Sequence, residues 1–227
     1  TARKNGIKKL QLAPAKTVTD VDFDVTGYDR SVSDRMKKEL DDLEVSVLGC
    51  YINPVDSNEK QLKTSLDRFD NFISYARDLN AGAIGTETGC SMNIEHTHSD
   101  SNYKFFLNNM MPLIDKAEAM DVSIGIEPVY IYTIYSPEMM KRMIDDVKSD
   151  KLSVILDVSN ITTFENHLNH TELIDKAFEF FGDRIKTIHL KDFVYDGTQK
   201  QFAPAGNGEL NIRYLFDKIK QMKAIPE

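Results

Sequence analysis

Two carboxylates and one imidazole close three successive apolar runs of the chain. Glu127, Asp157 and His189 each follow a short run rich in Val, Ile and Leu, which is typical of a buried strand. A carboxylate in such a position is costly unless it is paired or bound to a metal. Because the carboxyl ends of parallel barrel strands meet at one mouth, the three side chains predict a divalent-metal site.

Two further polar residues stand close to these positions. Glu87 ends another strand-like run, where it could contact a substrate hydroxyl or order a neighbour, or could be a solvated loop carboxylate. Asn160 comes three residues after Asp157 and could face the same pocket, or be a turn residue, as Asn often is. We take both as candidate substrate-binding residues.

Lys191 and Asp192 follow His189 directly. In a strand, alternate residues share a face, so Lys191 lies on the face of His189. Lys191 could balance negative charge on a substrate, and Asp192 could orient His189 or Lys191. Both are candidate substrate-binding residues, and the alternative is a salt bridge at the rim of the mouth.

Two other motifs are weaker. His96 and His98 form a His-x-His pair in a polar loop, which could bind a metal but lacks the support of a strand. The segment Gly206-Asn-Gly-Glu209 precedes a helical run and could receive a phosphate on its backbone N–H groups.

The elements that must position these residues alternate in type. We expect strands over residues 8–12, 45–51, 83–87, 122–127, 153–157 and 185–190, with apolar stripes at helical spacing between them. The strand ends are 30 to 40 residues apart. This order requires parallel strands with right-handed crossovers, and no linker divides residues 1–227, so we predict a single α/β domain.

Six strands do not close a (β/α)₈ barrel. Residues 1–6 resemble the end of a helix, and residues 224–227 resemble a loop leading into another strand. We therefore predict a (β/α)₈ TIM barrel that lacks its first and last strands in this chain. The rival is an open, doubly wound sheet, which concentrates its site at one switch point rather than at every strand end.

Composition limits the classes of partner. The net charge is −8, which opposes nucleic-acid binding. No apolar run is long enough to span a membrane. The only two cysteines, Cys50 and Cys90, fit a reducing cytoplasm with free thiols.

Three short motifs together resemble a known family. Gly125-Ile-Glu-Pro, Ile155-Leu-Asp-Val-Ser-Asn and Ile188-His-Leu-Lys-Asp are similar to segments of the sugar phosphate isomerase/epimerase family, the xylose isomerase-like TIM barrels. The resemblance spans the chain in βα order and does not name a substrate.

The resemblance implies a chemistry. Members bind a divalent ion, often Mn²⁺, through Glu, Asp, His and a second Glu, so Glu127, Asp157 and His189 would hold Mn²⁺, or Mg²⁺ or Co²⁺. Ketose 3-epimerase relatives use their two Glu residues as an acid/base pair around a metal-stabilised enediolate, which makes Glu127 a catalytic residue. The expected partner is a small-molecule sugar or sugar phosphate, and homo-oligomers are common among relatives.

The chain departs from this family pattern at two points. The second Glu has no match, because Glu227 comes too early for a final strand, so this chain alone is expected to bind metal poorly and turn over nothing. Many relatives have His where Asn160 stands. A non-catalytic sugar-binding barrel therefore remains an alternative, and an apurinic-site endonuclease-like metal hydrolase is another.

Overall fold

Six parallel strands form the central sheet of the computed structural model, which describes residues 2–223 and 226. They are β1 (Lys9–Leu12), β2 (Glu44–Gly49), β3 (Ala83–Thr86), β4 (Ile124–Ile126), β5 (Leu152–Leu156) and β6 (Ile185–Ile188). Each strand pairs with the next one along the chain. The predicted strands are all present, and the predicted strand following 224–227 lies outside the described residues.

The helices lie between these strands. They are α1 (Pro14–Thr17), α2 (Arg30–Leu40), α3 (Glu59–Asp78), α4 (Ile94–Thr97), α5 (Asp100–Ala119), α6 (Pro137–Val147), α7 (Val158–Ile161), α8 (His170–Phe181) and α9 (Ile212–Ile219). Side-chain caps define several starts: Asn58 accepts from two backbone N–H groups of α3, and Ser136 caps α6 just before Pro137. Among the described residues, no helix is both long and apolar enough to cross a membrane.

The sheet curls into a half-barrel. Strand order follows chain order without the reversal that marks the switch point of a doubly wound sheet. The curl brings the ends of β1 and β6 together, where His189 Nε2 lies 2.8 Å from Gln11 Oε1. The prediction of a partial (β/α)₈ TIM barrel is confirmed, and the open-sheet rival is wrong.

Small residues shape the barrel interior below its mouth. A Cβ on Gly85 of β3 would lie 2.5 Å from Val47 Cγ1 and 2.9 Å from Ile155 Cδ1, so these three residues share the interior face. A Cβ on Gly125 of β4 would also meet Ile155, at 3.1 Å. Because side chains alternate along a strand, the residues two beyond Gly85, Gly125 and Ile155 face the interior as well.

Replacing Gly85 with alanine should destabilise the fold. Val47 and Ile155 are buried, so the new methyl group would overpack the interior and lower the free energy of unfolding by about 1–3 kcal/mol. Urea denaturation measures this change. Gly27→Ala is the control, since a Cβ there meets nothing within 4 Å. A loss no larger than that of Gly27→Ala would contradict this packing.

An antiparallel hairpin follows β6 and was missed by the sequence prediction. Its strands are β7 (Asp192–Asp196) and β8 (Gln199–Ala203), joined by a turn in which Gly197 has a φ of +59°. The predicted strand 185–190 is accordingly shorter, because β6 ends at Ile188. The hairpin stands beside the barrel mouth and contributes to the site described next.

Candidate metal centre

Glu127, Asp157 and His189 converge at the carboxyl end of the half-barrel. Each follows its strand immediately, after β4, β5 and β6 respectively. Each offers one ligand atom, and these three atoms lie within 4.8 Å of one another. Glu127 is 2% exposed and Asp157 is 0% exposed, so both carboxylates have left bulk water. Within the described part of the chain, this is the group of His, Cys, Asp and Glu side chains that could hold a metal ion.

Local sequence explains why these side chains reach the interior. All three residues of β4, Ile124, Gly125 and Ile126, are buried, so the strand is covered on both faces. Glu127 is two residues beyond Gly125 and therefore faces the interior as well, and Pro128 follows it. Asp157 has the equivalent position just after β5, two residues beyond the interior residue Ile155.

Glu127 is held by its neighbours. Its Oε1 accepts a hydrogen bond from Asn160 Nδ2 at 2.7 Å and lies 3.2 Å from His189 Nδ1. Its backbone N–H donates to Thr86 O on β3. Asn160 is therefore a positioning residue for Glu127, because it fixes the orientation of that carboxylate.

His189 has an acceptor on its far nitrogen. Gln11 Nε2 donates to the Tyr51 hydroxyl, which leaves Gln11 Oε1 facing His189 Nε2. We therefore assign the proton of a neutral imidazole to Nε2, so that Nδ1 presents its lone pair to Glu127 Oε1. A lone pair and a carboxylate oxygen at 3.2 Å repel each other unless a metal ion, or a second proton on the imidazole, lies between them.

One carboxylate oxygen of Asp157 is among the buried side-chain atoms that have no hydrogen bond. Its Oδ1 accepts from Asn160 N at 3.2 Å and thereby caps α7. Its Oδ2 is buried and has no hydrogen-bond donor of acceptable geometry, although Lys191 Nζ lies 2.6 Å away as an ion pair. Burial raises the pKa of Asp157, Lys191 opposes that rise, and Glu127 adds to it.

These features fit a divalent cation. Two carboxylates and an imidazole are ligands that Mn²⁺, Mg²⁺ and related ions accept in proteins. The unsatisfied Oδ2 of Asp157 and the Nδ1 lone pair of His189 are the two atoms that an ion would satisfy. In this structure the ammonium group of Lys191, rather than a metal ion, neutralises the charge of Asp157.

Glu87 lies on the far side of the same mouth. Burial and the charge of Glu127 raise the pKa of Glu87, while Lys191 and a hydrogen bond from Tyr132 lower it by less. Tyr51 faces both carboxylates, and burial together with the charge of Glu127 raises the pKa of its hydroxyl to about 12. Sequence reasoning missed Tyr51 and Tyr132 as members of this cluster.

Lys191 reaches the same cluster, with its Nζ 2.6 Å from Asp157 Oδ2. Burial lowers the pKa of Lys191, but the close carboxylate of Asp157 outweighs burial and raises it. Its side chain is 44% exposed, so the ammonium group sits between the buried carboxylate and the open mouth.

Asp192 has a different set of partners from the ligands. Its Oδ1 accepts from the backbone N–H groups of Phe193 and Leu210, and its Oδ2 from those of Gly206 and Gly208, at 2.8–3.0 Å. These bonds account for a fully buried carboxylate without a substrate. They also occupy the Gly206 and Gly208 N–H groups that the sequence offered to a phosphate.

Replacing Asp192 with asparagine should destabilise the hairpin and the loop that returns to α9. Two N–H groups would lose a charged acceptor in a buried place, at a cost of about 3 kcal/mol in the free energy of unfolding at pH 7. Burial alone would raise the pKa of Asp192, but its four backbone donors hold the pKa below its ordinary value. The carboxylate's contribution is therefore complete above about pH 4 and is lost as pH falls through the lowered pKa.

Denaturation of Asp192→Asn at several pH values tests this. Asp196→Asn is the matched control, because Asp196 is exposed in the same hairpin, at the last paired residue before the turn. Equal stability of the two variants at pH 7 would contradict the structural assignment of Asp192.

The His-x-His motif lies apart from the ligand cluster. His98 Nε2 lies 2.9 Å from Tyr130 O, and the His98 ring stacks on Tyr135 at 3.8 Å between centroids. These contacts order the loop after β3. Neither His96 nor His98 belongs to the group of ligands that meets at the mouth.

Comparison with known proteins yields one family and several structures. A model of the family described as xylose isomerase-like TIM barrel matches residues 1–225. No curated protein matches the sequence. Solved structures do match, and the following three illustrate the range.

One is a xylose isomerase-like TIM barrel protein from Mycobacterium smegmatis in complex with magnesium, with 15% identity and a TM-score of 0.73 over 99% of this chain and 77% of that one. A second is a D-tagatose 3-epimerase-like protein, with 18% identity and a TM-score of 0.66 over 85% and 73%. A third is 3-keto-D-glucoside 4-epimerase from E. coli in its apo form, with 15% identity and a TM-score of 0.69 over 96% and 79%. At these identities the likeness is one of fold.

Proposed function

Because the chain belongs to the xylose isomerase-like TIM barrel family, we propose that it is a divalent-metal-dependent isomerase or epimerase of a sugar or sugar phosphate. One observation carries the proposal: three ligand atoms meet at the mouth, and the buried Asp157 Oδ2 among them lacks a hydrogen bond. Epimerase names among the structural neighbours support the same class of reaction.

Glu127 is the proposed base. Its carboxylate removes the proton from the carbon beside the substrate carbonyl, which leaves an enediolate. Asn160 donates to Oε1 and so fixes the direction in which the other carboxylate oxygen points. When bound, a divalent cation supplies Lewis-acid stabilisation of negative charge on the substrate oxygens.

The remaining polar groups bind the substrate. Lys191 donates to an oxygen of the substrate from its half-exposed position above Asp157. Glu87, whose pKa is raised by burial and by the charge of Glu127, can hydrogen-bond a sugar hydroxyl through its carboxyl group. Asp192 supports substrate binding indirectly, because it anchors the hairpin beside these groups.

Mn²⁺ is the metal that we propose, with Mg²⁺ or Co²⁺ as substitutes. An imidazole beside two carboxylates suits an ion that accepts both nitrogen and oxygen ligands, whereas Mg²⁺ prefers oxygen. Magnesium in the Mycobacterium smegmatis structure supports a divalent ion in this fold.

We also propose a cytoplasmic location. Cys50 is buried and Cys90 is exposed, and both are free thiols. Free thiols fit a reducing compartment.

Solvent exchange tests the reaction. The full-length protein is loaded with Mn²⁺ and incubated in D₂O with D-fructose, D-tagatose, D-xylulose, D-fructose 6-phosphate, D-ribulose 5-phosphate and the methyl and phenyl 3-keto-β-D-glucosides. We expect at least one of these to exchange the hydrogen beside its carbonyl for deuterium, measured by proton NMR. Bound Mn²⁺ without exchange in any of them would contradict the proposal and favour a non-catalytic sugar-binding barrel. Nicking of an abasic duplex would instead favour a metal hydrolase, which the net charge of −8 opposes.

A further inference from the structure

A cleft lined by apolar side chains opens beside the candidate metal centre. It has a volume of about 450 Å³ and lies between the loop after β4, the segment after α7 and the hairpin. Its apolar and aromatic lining consists of Val129, Tyr130, Ile131, Phe164, Tyr195 and Phe202. Ile131 is 50% exposed and Phe202 is 65% exposed, so the cleft presents side chains that would be covered by a ligand of matching chemistry.

The walls of the cleft are held in place by the protein itself. Lys200 of β8 donates from Nζ to Ser159 O and to Thr162 O, which ties the hairpin to the end of α7. Phe164 packs edge-on against Tyr195, with 5.7 Å between ring centroids. The cleft is therefore formed before any ligand arrives.

The cleft is continuous with the ligand cluster. Asn160 lines the cleft, and its side chain donates to Glu127 Oε1. Lys191 Nζ lies 2.6 Å from Asp157 Oδ2 and 5.9 Å from the centre of the Phe202 ring. A molecule with its polar head at the metal ligands would meet Phe202 with the next group along its length.

The charges of the cleft favour a neutral group there. Lys200 directs its N–H donors to backbone carbonyls, and Glu165 adds a carboxylate to the lining, so an anion gains little. Burial lowers the pKa of Lys200 to about 8, which indicates a poorly hydrated environment at this end of the cleft. Apolar and aromatic ligand groups are suited to such surroundings.

We infer that the substrate of the proposed reaction carries a neutral aromatic or alkyl group joined to its polar head, and that the cleft walled by Ile131, Phe164 and Phe202 binds this group. The inference rests on the proposed function, because the polar head is the part that meets Glu127, Asp157 and His189. It names the substrate class as a sugar derivative with an apolar substituent, such as an aryl glycoside, in preference to a free sugar or a sugar phosphate.

Two chelating probes test the inference on the Mn²⁺-loaded, full-length protein. Acetohydroxamate and benzohydroxamate offer a metal the same two oxygens and differ in having a methyl or a phenyl group. We expect benzohydroxamate to bind at least about tenfold more tightly by calorimetry, the factor expected for one well-buried apolar group. Phe202→Ala and Ile131→Ala should each reduce that ratio, with Mn²⁺ affinity unchanged. Phe105→Ala is the matched control, because Phe105 is also exposed but belongs to α5.

A second arm separates this inference from the proposed function. Phenyl and methyl β-D-glucoside are compared on the metal-free protein by saturation-transfer NMR. A phenyl signal that Phe202→Ala removes supports the cleft even where Mn²⁺ fails to bind, which would sink the proposed function alone. Equal affinity of the two hydroxamates, or a phenyl preference that survives both cleft variants, would overturn the inference. So would a change of oligomeric state in Phe202→Ala without any phenyl preference, since the patch would then be an interface between copies of the chain.

Discussion

Replacing Asp157 with asparagine should lower the affinity of the full-length protein for Mn²⁺ by at least about 100-fold, since loss of a direct ligand should exceed the 10–100-fold cost of losing an outer partner. Asp157 is fully buried, and its Oδ2 has no hydrogen bond. The amide keeps the size of the side chain but removes its charge. The variant also removes the anion that pairs with Lys191, so the uncompensated charge of Lys191 would repel a cation at this site. Calorimetric titration with Mn²⁺ measures the effect.

The control for this variant lies at the other end of the same strand. Asp150 precedes β5, and its side chain is fully exposed, so Asp150→Asn makes the same chemical change away from the mouth. We expect it to bind Mn²⁺ as the unaltered protein does. Thermal unfolding of both variants separates loss of a ligand from loss of the fold. Unchanged Mn²⁺ affinity in a folded Asp157→Asn variant would sink the assignment of this ligand.

Replacing Glu127 with glutamine should abolish exchange of the substrate hydrogen, with a fall of about 10³-fold in rate at saturating Mn²⁺, the size typical of losing a general base. Glutamine cannot accept the proton, although its oxygen can still accept the hydrogen bond from Asn160. Saturating metal is needed because Glu127 is also a ligand in this account. The measurement is deuterium incorporation into whichever substrate the unaltered protein exchanges.

Glu44→Gln is the matched control for that rate. Glu44 opens β2 at the opposite end of the half-barrel, where its side chain is exposed and pairs with Lys9. Its exchange rate should equal that of the unaltered protein. Exchange by Glu127→Gln at the same rate as by Glu44→Gln would assign the base to another residue.

The positions of the candidate metal ligands could be predicted from the sequence because they depend on short-range rules. An alternating side-chain direction and the end of a buried run place Glu127 and Asp157, and both rules act within a few residues. The same rules place Tyr51 two residues beyond the end of β2, although its apolar ring gave no reason to expect a role at the mouth. Gln11 meets His189 only because the sheet curls, which joins residues 178 apart.

The hairpin carried a signal that the repeating βα pattern hid. The two-residue turn is Gly197-Thr198, and Gly at the first position of such a turn is typical of a hairpin because its φ is positive there, as it is for Gly197. The bonds of Asp192 carried no such signal. Its donors come from residues up to 18 positions later, and backbone N–H groups of a loop leave no mark in composition. The apolar cleft could not be predicted either, because it depends on where the hairpin lies.

Anomalous diffraction from crystals of the full-length protein grown with Mn²⁺ would show the metal site itself. We expect one strong peak at the barrel mouth, within about 2.4 Å of a carboxylate oxygen of Glu127, a carboxylate oxygen of Asp157 and Nδ1 of His189. Lys191 should move away from Asp157 Oδ2 to admit the ion. A Mn²⁺ peak elsewhere, or an empty mouth with the Lys191–Asp157 pair intact at saturating Mn²⁺, would contradict the proposed site.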